Sequence, residues 1–268
     1  MKLYGIIGNP LRHSYSKEFF NEKFGEQNIV ANYENFLLPS IDSLKAILKC
    51  NPNLQGLNVT IPFKQAVFGY LDEVDPIAQE IGAVNVIKIT NIDGKPYLKG
   101  FNTDWYGFSE SISPYLKKHH TDALILGTGG ASKAVAFALK KLNINSTFVS
   151  RDKNKALTYN ELTEEIVKKN KIIINTTPVG TFPKVKECPP FPYQYIDSKH
   201  LVYDLIYNPI RSLFLQQSET RGATIVNGWT MLVNQAFESY KIWEGKPLLP
   251  KYLENEFLSS KDKRADME

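Results

Sequence analysis

The sequence predicts an α/β protein made of two αβ domains, and three observations carry that prediction. Apolar segments alternate between strand-like and helix-like spacing for most of the 268 residues. A glycine-rich turn, Gly127-Thr128-Gly129-Gly130, joins an apolar strand to a long helix in the second half of the chain. The alternation also restarts with a helix after a polar cluster at Asn102–Trp105, which places the boundary there. Residues 1–103 then form the first domain and residues 104–228 the second.

Taken in order, "LYGIIG" (3–8) and "NYENFLL" (32–38) have strand character. "SKEFFNEKFG" (16–25) and "SIDSLKAILKC" (40–50) are amphipathic helices. "GLNVT" (56–60) alternates apolar and polar residues as a strand does, Pro62 stops it, and "KQAVFGYL" continues as a helix from Lys64. "VNVIKITNIDGKPYLKGFN" (84–102) is a hairpin turning at Asp93-Gly94. A helix follows near "DWYGFSESISPYL", then a polar joint, "KKHHTD". "ALIL", the glycine turn, "ASKAVAFALKKLN", "STFVS" and "KIIINTT" make a βαβ series, and "LVYDLIY" and "ATIVNG" add strand-like pieces. The pattern argues for parallel sheets covered by helices. "WTMLVNQAFESYKIWEG" is an amphipathic closing helix, and "SSKDKRADME" is expected to be a frayed polar tail.

Composition narrows the function. Apolar residues make up 43% of the chain, enough for a real core, yet no apolar run approaches the roughly 20 residues of a membrane span. The net charge of +4 is dispersed, with lysine pairs that suit solvated helix faces, so nucleic-acid binding is not expected. A mild positive field suits an anionic ligand. The two cysteines, Cys50 and Cys188, have no metal-ligand spacing, and a reducing cytoplasm fits them. The N-terminus enters a strand at once, unlike a signal or transit peptide. No metal is expected.

"LILGTGGASKAVAFAL" lets backbone approach a pyrophosphate closely, and the helix behind it offers free N–H groups. This is the pattern of a Rossmann-like dinucleotide site, with Ser132 where the third glycine of the strict fingerprint would be. The end of the next strand selects the nucleotide. An acid there would hold the ribose hydroxyl of NAD, whereas a cation would hold the extra phosphate of NADP. The residues are Ser150, Arg151, Asp152 and Lys153. A guanidinium fork beside a hydroxyl favours NADP. A plain surface turn, or Asp152 acting as the NAD-type acid one position late, are the alternatives.

In the first domain, polar side chains recur at strand ends. Ser14 and Ser16 precede a helix and could cap it, or hold a carboxylate. Asn58 and Thr60 flank Val59, and Asn85 enters the hairpin. Asn102, Thr103 and Asp104 meet at the domain joint, where Asp104 could serve only as an N-cap. Tyr207 ends a strand, and Gln235 sits beside an apolar helix face. Each has an ordinary structural explanation, but together they concentrate polar groups where a site would lie. Lys64 stands out, because the positive end of a helix dipole disfavours a cation.

"GNPLRHSYS", "LNVTIPFK", "GAVN", "GFNTDWYG", "LGTGGASKAV", "INTTPVGT", "DLIYNP" and "NGWTMLVNQAF" together resemble the ordered motifs of the shikimate dehydrogenase family, from about residue 4 to residue 243. The resemblance implies two αβ domains about a deep cleft: an N-terminal substrate domain and a C-terminal Rossmann-like NADP domain. The final helices, residues 229–268, would return to the first domain. It implies the reversible NADPH-linked reduction of 3-dehydroshikimate to shikimate, a step toward aromatic amino acids. Matched by motif, Lys64 and Asp104 are the catalytic pair, and Ser14 and Ser16 hold the substrate carboxylate. Asn58 belongs to the same substrate set. Thr60, Asn85, Asp104 and Gln235 read the ring hydroxyls, and Tyr207 is an accessory contact. The cofactor side comprises Gly127, Thr128, Gly129, Gly130 and Ala131, then Ser150, Arg151 and Lys153, with Leu205 and Gly228.

Val86, Lys17, Ser150 and Asp152 depart from the family's commoner residues, and none removes a catalytic group. The misfit of Lys64 then has a reason. Hydride delivered to a ketone leaves negative charge on oxygen, which needs a proton donor or a cation beside it. Donor and electrostatic stabiliser both remain open at this level. A quinate-preferring enzyme with relaxed cofactor use, a non-catalytic ligand sensor and a plain nucleotide-binding module are the rivals. Both serines and Arg151 argue against the first, intact Lys64 and Asp104 against the second, and the first-domain polar cluster against the third. A monomer or a homodimer would both fit.

Overall fold

The computed structural model describes residues 1–11 and 15–248. Ser14 and the terminal segment "SSKDKRADME" therefore lie outside the described residues.

The first half runs β1 (Lys2–Gly8), α1 (Ser16–Glu26), β2 (Ala31–Leu37), α2 (Leu44–Cys50), β3 (Leu54–Val59) and α3 (Phe63–Ala66), then β4 (Glu73–Val74), α4 (Pro76–Ile81), β5 (Val86–Ile92) and β6 (Lys95–Phe101). These strands form one sheet, ordered β2-β1-β3-β5-β6-β4. It is mixed rather than parallel, because the hairpin of β5 and β6 adds antiparallel pairs with β3 and within itself. The hairpin turns at Asp93 and Gly94, both at positive φ, as a two-residue turn with the strand twist requires.

The second half runs α5 (Asp104–Ile112), β7 (Asp122–Leu126), α6 (Gly130–Lys141), β8 (Asn145–Ser150), β9 (Leu157–Thr158), α7 (Glu164–Lys169), β10 (Ile172–Asn175), β11 (Leu201–Asp204), α8 (Leu213–Glu219), β12 (Thr224–Val226) and α9 (Trp229–Glu244). Its sheet, ordered β12-β11-β10-β7-β8-β9, is parallel throughout. From β7 the chain first builds outward through β8, then returns to build the other side through β10. The carboxyl ends of β7 and β10 are thus a topological switch point, where open sheets of this kind leave a crevice. In the first sheet β1 lies between β2 and β3, so a second switch point falls at the ends of β1 and β3.

Two features differ from the sequence pattern. The helix expected from Lys64 is a single α-turn, α3, followed by a 3-10 turn at Val67–Tyr70. The short elements β4, α4, β9, α7 and α8 are additional to the pattern. Of these, α4 has clear local determinants: Asp75 accepts the Ile77 N–H at 3.0 Å, Pro76 occupies the first turn, and Gly82 ends the helix at φ 69°.

The closing helix α9 packs on the first sheet. Trp229, Val233, Ala236, Tyr240 and Trp243 join Tyr4, Phe20, Phe24 and Tyr33 in one buried cluster. Gly56 on β3 makes this possible, since an added Cβ would lie 2.3 Å from the Trp243 indole nitrogen. That nitrogen donates to the Ile87 carbonyl at 3.0 Å. Met231 faces the other way, into the core beneath α5 and α6 with Phe108, Ile112 and Val135. The helix α5 crosses α9 at Gly107, where a Cβ would meet the Met231 carbonyl at 2.6 Å. Among the described residues, no helix is long and apolar enough to cross a membrane.

Candidate active site

The two switch points face each other. At the first, Lys64 on α3 donates from Nζ to Asp104 Oδ2 on α5 at 2.5 Å, with side chains only 15% and 8% exposed. An ion pair so far removed from water interacts more strongly than one on the surface. Because α3 is a single turn, few peptide dipoles align behind Lys64, so the helix opposes the ammonium less than a long helix would. Its neighbours fix it instead: the Lys64 carbonyl accepts the Val84 N–H at 2.8 Å.

Asp104 is not the cap of α5. Asn102 fills that role, its Oδ1 accepting the Asp104 N–H at 3.0 Å while its Nδ2 donates to the Ala83 carbonyl at 2.8 Å. The Asp104 carboxylate is left to the site. Its second oxygen, Oδ1, accepts from Asn85 Nδ2 at 2.9 Å. Asn85 Nδ2 also donates to Thr103 Oγ1 at 3.0 Å and lies 3.5 Å from Gln235 Oε1. The close crossing at Gly107 is what lets α9 bring Gln235 to this corner. Thr60 directly follows β3, half-buried, with its methyl over Gly8.

Asn58 lies on β3. It is 5% exposed, and its side chain is engaged within the fold. Oδ1 accepts from the Tyr33 hydroxyl at 2.7 Å, and Nδ2 donates to Ser239 Oγ at 3.1 Å. These bonds hold Asn58 in place, as Asn85 and Asp104 are held by theirs. Ser16 begins α1 and is buried. Tyr207 packs 6.4 Å from the Trp229 ring, and burial pushes its phenol above the usual range. Tyr33, Asn102, Gly107 and Ser239 join the site through contacts between distant segments, and only Asn102 carried a signal in the sequence.

At the second switch point the glycine turn heads α6. Gly127 has φ 112°, and a Cβ there would meet Thr176 Oγ1 at 2.7 Å across the β7–β10 crevice. Gly129 is open, with no atom within 4 Å of an added Cβ. Gly130 faces the first sheet: its added Cβ would lie 3.2 Å from Lys64 Cβ and 3.7 Å from that of Ala83. The turn thus lies beside the stem of Lys64, with no room for a side chain between them. Thr128 and Ala131 flank these glycines, both partly exposed. Ser132, in the place of a third glycine, is buried and returns its hydroxyl to the Gly129 carbonyl at 2.7 Å. A serine fits there because its polar atom is satisfied within the turn.

Beyond β8, Arg151 is exposed and makes no ion pair among the described residues, and Lys153 is exposed beside it. Ser150 is buried and accepts the Asp152 N–H at 3.1 Å. Asp152 is otherwise engaged, its Oδ1 accepting the Asn154 N–H at 3.0 Å and its Oδ2 lying 3.8 Å from Lys155 Nζ. That disfavours Asp152 as a ribose ligand. These residues fit a phosphorylated dinucleotide: an open glycine turn at a helix head, then an unpaired guanidinium at the next strand end. Leu205 and Gly228 meet at the end of β11, so closely that a Cβ on Gly228 would lie 2.0 Å from the Leu205 carbonyl oxygen.

Beneath that corner lies a second buried acid. Asp204 accepts from Ser212 Oγ at 2.5 Å, Asn175 Nδ2 at 3.0 Å and the Ile206 N–H at 3.1 Å. No cation faces it among these partners, and burial pushes its carboxyl up to about 7. Among the described residues no cluster of metal-ligating side chains occurs.

An ammonium held against a carboxylate, on a lysine whose stem lies beside the dinucleotide-type turn of a parallel sheet, places the chain in the class of two-sheet α/β nucleotide-linked oxidoreductases. Residues 6–87 match the model of the shikimate dehydrogenase substrate binding domain. A shikimate dehydrogenase (NADP(+)) of Methanosphaera stadtmanae is 38% identical over 262 residues, spanning 90% of this chain and 91% of that one. The chain belongs to the shikimate dehydrogenase family.

Solved structures agree. The enzyme from Thermus thermophilus in complex with NADP(H) and shikimate superposes with a TM-score of 0.81 at 29% identity, covering 92% of this chain and 95% of that one. A quinate dehydrogenase from Corynebacterium glutamicum in complex with NAD gives a TM-score of 0.79 at 26% identity, covering 92% and 94%. The fold is therefore common to both substrates and both cofactors, and individual residues must decide between them.

Proposed function

We propose that the protein catalyses the reversible NADPH-dependent reduction of 3-dehydroshikimate to shikimate. The observation that carries this is the buried Lys64–Asp104 pair, with the Lys64 stem beside Gly130 of the glycine turn. Family membership supports the substrate class. The unpaired Arg151, with Asp152 engaged elsewhere, supports NADP over NAD.

In this proposal Gly127, Thr128, Gly129, Gly130 and Ala131 cradle the pyrophosphate, and Ser150, Arg151 and Lys153 hold the adenosine phosphate. Leu205 and Gly228 border the nicotinamide. The bound cofactor supplies or accepts the hydride. Lys64 presents an N–H from Nζ to the substrate oxygen where negative charge develops on reduction, and Asp104 holds that ammonium in place. Asn85, Thr60 and Gln235 orient the ring hydroxyls, Ser14 and Ser16 take the carboxylate, and Tyr207 adds a contact. Asn58 acts through its neighbours.

Residues 1–103 serve as the substrate domain and 104–228 as the NADP domain, and the closing segment from residue 229 returns to the first; the packing of α9 on the first sheet supports that return, and residues 249–268 lie outside the described residues. A cytoplasmic enzyme, monomer or homodimer, acting on small molecules suits the two free thiols.

The test follows the absorbance of reduced nicotinamide while crossing shikimate and quinate with NADP and NAD. Shikimate with NADP should give the highest kcat/KM by at least about tenfold. Equal or better turnover with quinate and NAD would overturn the assignment.

A further inference from the structure

We infer that Thr103 and Ser239 are positioning residues, whose hydroxyls fix the direction of the Asn85 amide and so aim one of its N–H groups at Asp104. The inference rests on the proposal that Lys64 and Asp104 are the reacting pair. It follows from proton counting in a buried chain of hydrogen bonds.

Ser239 has one proton, and its Oγ donates that proton to the Gln235 carbonyl at 2.7 Å, one helical turn back on α9. Towards its other neighbours it can only accept, from Asn58 Nδ2 at 3.1 Å and from Thr103 Oγ1 at 3.2 Å. The proton of Thr103 is therefore directed at Ser239. Its alternative acceptor, Asn85 Oδ1, is farther, at 3.4 Å, and already takes the Thr103 backbone N–H at 2.7 Å. With its proton so placed, Thr103 Oγ1 becomes an acceptor for Asn85 Nδ2 at 3.0 Å. The second Asn85 N–H then goes to Asp104 Oδ1 at 2.9 Å.

The direction matters because the alternative is poor. A reversed Asn85 amide would set its carbonyl oxygen against the Asp104 carboxylate and its NH2 against the Thr103 N–H. Thr103, Asn85, Asn58, Ser239 and Asp104 are all buried, so water does not soften either clash. The chain also extends backward: the Tyr33 hydroxyl donates to Asn58 Oδ1 at 2.7 Å. One hydrogen-bonded line thus runs from Tyr33 through Asn58, Ser239, Thr103 and Asn85 to the ion pair. Ser239 is its link to α9.

The experiment measures kcat per NADP-binding site, KM for shikimate and NADP affinity for wild type, Thr103→Val, Thr103→Ser and Ser239→Ala. Thr103→Val keeps the shape and removes the hydroxyl. It should lower kcat about tenfold or more while KM and NADP affinity change less than about threefold. Thr103→Ser, which retains the hydroxyl, should restore kcat to within about threefold of wild type. Ser239→Ala leaves the Thr103 proton to compete for Asn85 Oδ1 and should lower kcat several-fold. It also carries the test alone if Thr103→Val fails to bind NADP.

Wild-type kcat in folded Thr103→Val, or in Ser239→Ala, would overturn the inference while leaving the proposed function intact, as would a loss that Thr103→Ser does not rescue. A wild-type protein inactive on shikimate would remove both.

Discussion

The two sides of the cleft are built in opposite ways. On the substrate side, polar groups are buried and already satisfied by one another: Asp104 by Lys64 and Asn85, Asn85 by Thr103, Asn58 by Tyr33 and Ser239. On the cofactor side, groups wait for a partner: Gly129 is open, and Arg151 is exposed without an ion pair among the described residues. The difference suits the chemistry. Charge that develops during reaction is best met by groups that need not reorganise, whereas a large anionic nucleotide brings its own charge and shape. Gly130 is the point where the two styles touch, against Lys64.

Breaking the preorganised side should have the largest effect. Lys64→Ala should lower turnover by about 10²–10⁴-fold, the usual size of a general acid–base contribution, with NADP affinity little changed. Steady-state kinetics beside a direct NADP titration check this, and near-normal turnover in a folded variant would remove Lys64 from the chemistry. Breaking the open side should act on binding instead. Arg151→Ala should weaken NADP by about ten- to a hundred-fold, from a charge-assisted contact of about 1.5–3 kcal/mol, and leave NAD nearly unaffected. Equal weakening of both cofactors would mean that Arg151 supports only the turn.

The acid without a cation sharpens the contrast with Asp104. Burial raises the Asp204 carboxyl to about 7, so the folded state holds that proton more tightly than the unfolded chain does. Its contribution to stability is fully present below the ordinary carboxylate range and is lost as pH rises through that range to about 7. The loss should be on the order of 4 kcal/mol in denaturant titrations across that window. Asp204→Asn, whose oxygen can keep the bonds from Asn175 and Ile206 while its NH2 donates to the Ser212 hydroxyl in reverse, should flatten this part of the profile.

The smallest effects should separate two adjacent glycines. Gly129→Ala meets no protein atom within 4 Å and should alter stability by less than about 0.5 kcal/mol while weakening NADP. Gly130→Ala presses on Lys64 Cβ and should lower turnover about threefold to tenfold as well. Identical kinetic effects of the two substitutions would deny the contact a functional role.

How far the sequence could be read follows the same division. The glycine turn, the strand before it and the helix after it lie in one stretch, so local spacing suffices for α6 and its neighbours. Arg151 was legible for the same reason. The substrate side is assembled from residues 33, 58, 85, 103, 104, 235 and 239, which no local pattern joins. Their types hinted at a site and the family motifs gathered most of them. That Asn58 bonds to Ser239, or that Asn102 accepts the Asp104 N–H, depends on packing between elements. Lys64 was singled out by a helix dipole that the single turn of α3 scarcely provides. Its ion pair with Asp104 is the stronger reason to single it out. The mixed character of the first sheet was also implicit, since the hairpin at Asp93-Gly94 must add antiparallel pairs. Strands as short as β4 and β9, two residues each, have no periodicity to detect.

The central claim is that Lys64 and Asp104 act as one unit at the meeting point of the two sides. A double-mutant cycle in kcat tests it most directly, using Lys64→Ala, Asp104→Asn and the double variant under saturating shikimate and NADP. If the pair is one unit, the double variant should turn over within about threefold of the slower single variant, because removing either member already disables the other. If the two losses multiply, Lys64 and Asp104 contribute independently, and the account of a single preorganised ion pair is wrong.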